Sequence, residues 1–120
     1  MGTTTDIGNR GEDAAAGWLM TNGFEILHRN WRNGRYELDI VARKGDTLHF
    51  VEVKCRKRNP LTAPQDAITP SKFRSLSRAA EFYVATYSID LEIAFDLVAV
   101  EYDDRTTDVL YVPDAMVPRW

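Results

Sequence analysis

The sequence predicts a single α/β domain in which helices flank a mixed β-sheet, with the elements in the order αβββαββ. Two observations lead to this class. Two segments carry apolar residues at helical spacing, and five segments rich in β-forming residues lie between turn signals. A chain of 120 residues suits one compact domain and is too short for two. We therefore assign residues 1–120 to one domain.

Local signals set the limits of these elements. The first helix is predicted over residues 6–21, because Asn22-Gly23 is a strong stop. The second starts at Thr69-Pro70, a cap followed by proline at the first helical position, and runs to about Tyr87. A proline-containing loop precedes it. The predicted strands cover residues 24–31, 36–43, 47–56, 93–100 and 107–112.

Composition narrows the classes of function. The net charge of −3 disfavours a general nucleic-acid-binding protein, but the sum is +2 in residues 1–60 and −5 in residues 61–120. Cys55 is the single cysteine, which excludes an internal disulfide. The sequence carries neither a signal-peptide pattern nor an apolar run of membrane length. We expect a reduced, cytoplasmic protein that does not enter a membrane.

The stretch from Glu37 to Lys54, ELDIVARKGDTLHFVEVK, reads as a β-hairpin closed by Gly45-Asp46. With that two-residue turn, Asp39 falls opposite Glu52 and Glu37 falls opposite Lys54. Alternation then puts all four charges on one face. This register assumes a strand without a bulge. The other face would carry Tyr36, Leu38, Ile40, Ala42, His49, Val51, Val53 and Cys55.

Facing carboxylates repel each other, so Asp39 and Glu52 should hold either a proton or a cation between them. Carboxylate oxygens are hard ligands that suit Mg²⁺. Lys54 is a poor metal ligand but can stabilise negative charge on a phosphate or position a water. The set predicts metal-assisted phosphodiester hydrolysis. The alternative is a solvated charged face, with Glu37 and Lys54 as an ordinary cross-strand ion pair.

Glu12 stands at an unusual position for a carboxylate. It shares a helix face with Ala15, Ala16 and Leu19, which are apolar. A carboxylate in the first turns of a helix is also favoured by the helix dipole, which needs no site. Both interpretations stay open on the helix pattern alone.

Asp39 followed by Glu52-x-Lys54 resembles the PD-(D/E)XK nuclease signature, with Leu38 in place of the proline. More specifically, the chain resembles the YraN family of small, largely uncharacterised, endonuclease-like proteins. The resemblance covers nearly the whole chain. It rests on NRGEDAAAGWLMTNGFEIL at 9–27, RNWR at 29–32, ELDIVA at 37–42, LHFVEVKCR at 48–56, Lys72 with Arg78, and FDLVAV at 95–100.

The resemblance implies a restriction-endonuclease-like fold and a site similar to that of archaeal Holliday-junction resolvases. It implies that Asp39, Glu52 and Glu12 bind Mg²⁺ or Mn²⁺ and that Lys54 assists catalysis. Glu37 matches a further family acid, and Gln65 lies where resolvase-like sites sometimes carry a glutamine. Tyr36 departs from the family, which usually has glycine there. Asp96 matches the family's FD pair, and we expect it to have a hydrogen-bonded structural role.

We therefore expect a metal-dependent endonuclease acting on DNA, with branched or structured DNA among the candidate substrates and RNA left open. The side chains expected to contact phosphates are Arg32, Arg35, Arg56, Lys57, Lys72 and Arg78. A homodimer would present two sites to two strands. Two alternatives remain: a binding or protein-interaction module that kept the fold and lost turnover, and a structural domain whose acidic hairpin is fortuitous.

Overall fold

The computed structural model describes residues 4–59, 61 and 68–115, with side chains from residue 10 onward. The element order αβββαββ is as predicted. The elements are α1 Thr4–Thr21, β1 Glu25–Asn33, β2 Tyr36–Lys44, β3 Thr47–Lys57, α2 Pro70–Tyr87, β4 Glu92–Tyr102 and β5 Thr107–Val112.

The five strands form one mixed sheet in the order β1-β2-β3-β4-β5. Strands β3 and β4 are parallel, and the other neighbours are antiparallel. A parallel pair needs a crossover connection, and α2 provides it. The predicted start of α2 is confirmed, because the Thr69 side chain accepts a hydrogen bond from the backbone N–H of Lys72 and Pro70 opens the helix.

Both faces of the sheet are buried, one under each helix. The α1 core includes Leu19, Ile40 and Val51, and it also contains Val53 and Cys55 at its margin. The α2 core is built from Leu38, Val41, Leu48, Phe50, Leu76, Ala79, Ala80 and Tyr83. We call the two sides of the sheet the α1 face and the α2 face. No helix in the described part of the chain is long and apolar enough to cross a membrane.

The predicted hairpin register is confirmed over its closed end. Lys44 pairs with Thr47, Val41 with Phe50, and the ladder continues to Ile40 paired with Val51. Gly45 has φ of +60°, a conformation that glycine adopts without strain in a tight turn. Asp39 and Glu52 are therefore the next residues beyond the paired region, at the open end of the hairpin.

The expectation that all four charges share one face is wrong. Leu38 packs in the α2 core together with Val41, whereas Ile40 packs in the α1 core. Residues 38 and 40 of an unbroken strand would share a face, so the alternation changes phase at Asp39. As a result Tyr36 and Leu38 lie on the α2 face, and Glu37 points to the opposite side.

The neighbouring strand changes phase at the same level. On β1, Arg29 pairs with Ile40 and Trp31 pairs with Leu38, so Asn30 is the residue across from Asp39. Asn30 has φ of +52°, in the left-handed region that asparagine tolerates better than most residues. The two strands therefore kink together. This kink turns Asp39 out of the regular pleat and toward the end of β3.

Candidate active site

Asp39 and Glu52 come together where β2 and β3 separate. Asp39 Oδ2 accepts a hydrogen bond of 2.9 Å from the backbone N–H of Val53, which ties its carboxylate to β3 just past Glu52. The two carboxyl groups lie close enough for each to shift the pKa of the other. Glu52 is only 8% exposed. The structure thus places side by side the two acids that the sequence singled out.

The electrostatics of this pair depart from those of surface carboxylates. Burial, with a further contribution from the negative charge of Asp39, raises the pKa of Glu52 to about 7. Burial also raises the pKa of Asp39, although the Val53 N–H bond acts in the opposite direction. Two buried carboxylates cannot both ionise cheaply, so one of them takes a proton or the pair takes a cation.

Lys72, at the start of α2, provides the nearest positive charge that the structure shows. Its Nζ lies 3.4 Å from Glu52 Oε1, and this charge lowers the pKa of both Asp39 and Glu52. Sequence reasoning gave Lys72 a phosphate contact and missed this ion pair. A helical lysine following a loop carries no local signal of which strand it will face.

Lys54 lies on the same side of β3 as Glu52, because two residues along a strand restore the same direction. It is exposed to solvent. Its ammonium is therefore accessible to a molecule that approaches from solvent. Its predicted catalytic role stays a prediction.

Glu12 approaches the acid pair from α1. Its pKa is raised, first by burial and second by the negative charge of Asp39, while a hydrogen bond with the Asn30 side chain lowers it. In the described part of the chain, no three His, Cys, Asp or Glu side chains gather closely enough to hold one ion. Glu12 therefore faces Asp39 at electrostatic range, and its role as a third ligand stays a prediction.

Asn30 is a site residue that sequence reasoning missed. It lies opposite Asp39 at the kink, and its side chain lowers the pKa of Glu12. The available signal was an asparagine inside a segment rich in β-forming residues, since asparagine is depleted in strands and tolerates positive φ. Nothing in the sequence indicates that this residue contacts α1.

The residues predicted to support or flank the site lie in different places. Glu37 forms an ion pair of 3.1 Å with Arg32 on β1, which corrects the expected pairing with Lys54. The phase change at Asp39 explains the difference, because it turns Glu37 away from β3. Gln65 lies outside the described residues. The Tyr36 ring packs 5.6 Å from Phe82 of α2, so Tyr36 lies on the far side of the strand from Glu37.

Most of the side chains predicted to contact phosphates already have partners within the chain. Arg56 is paired with Glu101 at 3.5 Å and Arg78 with Glu81 at 3.2 Å, while Arg35 donates to the Tyr36 hydroxyl at 2.9 Å. Lys57 is exposed. The Arg78–Glu81 pair is exposed and therefore weak, so phosphates can compete for that cation, whereas the Arg56–Glu101 pair is largely buried. Their contacts with nucleic acid stay predictions.

Asp96 belongs to a second polar centre, on the α1 face. It is fully buried, accepts hydrogen bonds from the Tyr111 hydroxyl at 2.6 Å and the Asp114 N–H at 2.9 Å, and lies 2.6 Å from His49 Nδ1. These contacts tie β3, β4 and β5 to the segment after β5. The expected structural role of Asp96 agrees with this network.

The donor set at Asp39 and Glu52 fits a magnesium-type ion. Mg²⁺ prefers oxygen ligands, keeps several waters, and is commonly held by one or two carboxylates together with substrate phosphates. A buried, mutually repelling acid pair with a lysine counter-ion supplies such a set. The fit needs no third carboxylate.

Comparison with known proteins agrees with this architecture. The fold is similar to that of Archaeoglobus fulgidus Hjc, a Holliday junction resolvase from an archaeal hyperthermophile, with a TM-score of 0.50. The similarity covers 87% of this chain and 73% of that one at 21% sequence identity. The protein therefore has a restriction-endonuclease-like α/β fold, as the sequence predicted.

The family follows from the sequence comparisons. Residues 11–100 match the uncharacterised protein family UPF0102. A UPF0102 protein of Bacteroides fragilis is 40% identical over 112 residues, covering 93% of each chain. A second, from Parabacteroides distasonis, is 39% identical over 119 residues, covering 94% of this chain and 98% of its own. The chain belongs to UPF0102, the family that its motifs identified as YraN.

Proposed function

We propose that the protein is a metal-dependent endonuclease that hydrolyses phosphodiester bonds in DNA, with branched DNA as the leading substrate class. The observation that carries this proposal is the buried Asp39–Glu52 pair, charge-compensated by Lys72 and followed on the same strand face by Lys54. Burying two adjacent acids costs free energy. A bound cation would offset this cost and would also serve the hydrolysis of a phosphodiester bond. The fold shared with a Holliday junction resolvase supports the same class.

The roles follow from the positions of the side chains. Asp39 and Glu52 would hold Mg²⁺ or Mn²⁺, and Glu12 would support the shell through Asp39. The ion would supply Lewis-acid stabilisation of charge on the phosphate. Lys54, exposed beside Glu52, would stabilise that charge or orient a water. Phosphates on either side of the reacting bond would be contacted by Lys57 and by four arginines, Arg32, Arg35, Arg56 and Arg78.

The test is cleavage of labelled linear, flapped and four-way DNA, with a single-stranded RNA as a further arm, in Mg²⁺, in Mn²⁺ and in EDTA. Wild type is compared with Glu52→Ala, Lys54→Ala and, as a control, Glu92→Ala. Glu92 is an exposed acid at the start of β4. We expect each site variant to lose on the order of 10²-fold or more in rate, as when one group that stabilises a transition state is removed. Glu92→Ala should cut like wild type.

Equal cutting by all four proteins would indicate a contaminating nuclease and would contradict the assignment. The second candidate is a nucleic-acid-binding or protein-interaction module on the same fold without turnover, favoured by the absence of a third acidic ligand at the acid pair among the described residues. Tight, metal-independent binding of the four-way DNA with no cleavage in any buffer would establish that alternative.

A further inference from the structure

Lys72 is held at the acid pair by the start of its helix. Its backbone N–H donates to Thr69 Oγ1 at 3.1 Å, so the cap fixes where the side chain leaves the first turn. From there Nζ reaches Glu52 Oε1 at 3.4 Å. The Lys72 side chain is 45% exposed while that of Glu52 is 9% exposed. The ammonium therefore lies on the solvent side of the buried carboxylates.

This arrangement differs from an ordinary surface ion pair, because only one partner can leave. Glu52 is fixed in a strand and is next to Asp39, whereas lysine is a compact charge on a flexible four-carbon stem. The pKa of both acids responds to Lys72, which opposes the effect of burial. The lysine is thus a counter-ion for the pair and not for Glu52 alone.

We propose that Lys72 is a built-in counter-ion of the Asp39–Glu52 pair, which a divalent cation must displace in order to bind. The inference rests on the proposed function and adds a control on metal occupancy to it. Without metal, the ammonium limits repulsion between the two carboxylates. With metal, the same ammonium would repel the ion, so the stem swings toward solvent and the cations exchange.

The two lysines near the site then have different tasks. Lys72 exchanges with the ion at the carboxylates, while the exposed Lys54 is available for the reacting phosphate. If Lys72 exchanges with the ion, its removal has two effects that would not occur together if its role were only structural. Removing Lys72 should strengthen metal binding and weaken the metal-free fold.

Metal affinity is measured by calorimetric titration of Mn²⁺ at about pH 8, above the pKa of Glu52, so that protons do not compete. Wild type is compared with Lys72→Gln and with Arg74→Gln. Arg74 is an exposed cation on the same helix, so its variant makes the same change in net charge. We expect Lys72→Gln to bind Mn²⁺ on the order of tenfold more tightly, because a unit charge next to a divalent ion has been removed. Arg74→Gln should stay within about twofold, because residues two apart on a helix do not face the same way and salt screens an exposed charge.

Stability without metal gives the second readout. In EDTA, Lys72→Gln should melt roughly 2–4 °C below wild type, and saturating Mn²⁺ should abolish that difference. Arg74→Gln should melt with wild type in both buffers. Lys72→Arg keeps the charge and should restore both the melting temperature and the weaker Mn²⁺ affinity.

The outcomes separate this inference from the proposed function. Equal or weaker Mn²⁺ binding by Lys72→Gln would overturn the exchange while leaving the metal site in place. A melting temperature of Lys72→Gln in EDTA equal to that of wild type would also overturn it, because Lys72 would then not stabilise the acid pair. Absence of Mn²⁺ binding by every protein would contradict the proposed function, and the exchange would fall with it.

Discussion

At the scale of single residues, the central feature is a glutamate whose ionised form is destabilised by its surroundings. Glu52 is almost fully buried, and the neighbouring Asp39 further destabilises its charged form. The raised pKa means that the folded protein holds a proton here at a pH where the unfolded chain has released it. A group of this kind makes stability depend on pH.

The sign of that dependence follows from the two pKa values. Glu52 moves from about 4.5 in the unfolded chain to about 7 in the folded one, so its protonated form stabilises the fold below about pH 4.5. That contribution is lost as the pH rises through about 7. We expect Glu52→Gln, which cannot ionise, to gain stability over wild type across this window. The gain in EDTA is at most about 3 kcal/mol, measured by urea denaturation.

The control for this measurement is Glu92→Gln, whose exposed side chain should give a difference from wild type that does not change with pH. A Glu52→Gln advantage that is already full near pH 5 would contradict the assigned shift. Saturating Mn²⁺ should reverse the order, because wild type would then gain binding free energy that the variant lacks.

At the scale of elements, much of the site could be predicted from the sequence and part of it could not. Gly45-Asp46 fixed the register as far as Ile40, because a two-residue turn leaves the paired strands little freedom. The phase change at Asp39 was not predictable, since it depends on the partner strand kinking at Asn30. The Lys72 contact was also hidden, because it joins elements separated by a loop.

The packing of α1 on β3 determines where Glu12 lies, and Gly11 makes that packing close. A Cβ at Gly11 would come within 2.9 Å of both the Cβ and the Sγ of Cys55, whereas a Cβ at Gly17 would meet nothing within 4 Å. The two glycines of one helix therefore form a matched pair. One is required by contact with the sheet, and the other only weakens its helix.

We expect Gly11→Ala to destabilise the protein by about 1–3 kcal/mol, since an overpacked contact must push α1 away from the sheet. Gly17→Ala should instead stabilise it by about 0.5–1 kcal/mol, the usual gain of alanine in a helix interior. Chemical denaturation measures both. The two expected changes have opposite signs, so a Gly11→Ala protein as stable as Gly17→Ala would show that α1 does not pack on Cys55 in this way.

At the scale of the whole molecule, the sheet separates two polar centres of opposite character. On the α2 face, the Glu52 carboxyl group is repelled by Asp39 and is paired with the Lys72 ammonium. On the α1 face, Asp96 is enclosed by Tyr111, His49 and the N–H of Asp114, which satisfy its carboxylate within the chain. The first centre is the proposed metal site, and the second holds the last strands together.

This division predicts that a change at Asp96 will affect stability and leave metal affinity unchanged. Asp96→Asn should cost about 1–3 kcal/mol, because an amide cannot accept every bond that the carboxylate accepts and a buried group is left unpaired. Tyr111→Phe removes a single hydroxyl and should cost about 1 kcal/mol. Calorimetric titration of folded Asp96→Asn should give the Mn²⁺ affinity of wild type within about twofold, since Asp96 makes its contacts with Tyr111, His49 and the Asp114 N–H and not with Asp39 or Glu52. A loss of Mn²⁺ binding comparable to that in Glu52→Gln would mean that Asp96 is part of the metal site and that the two centres are one.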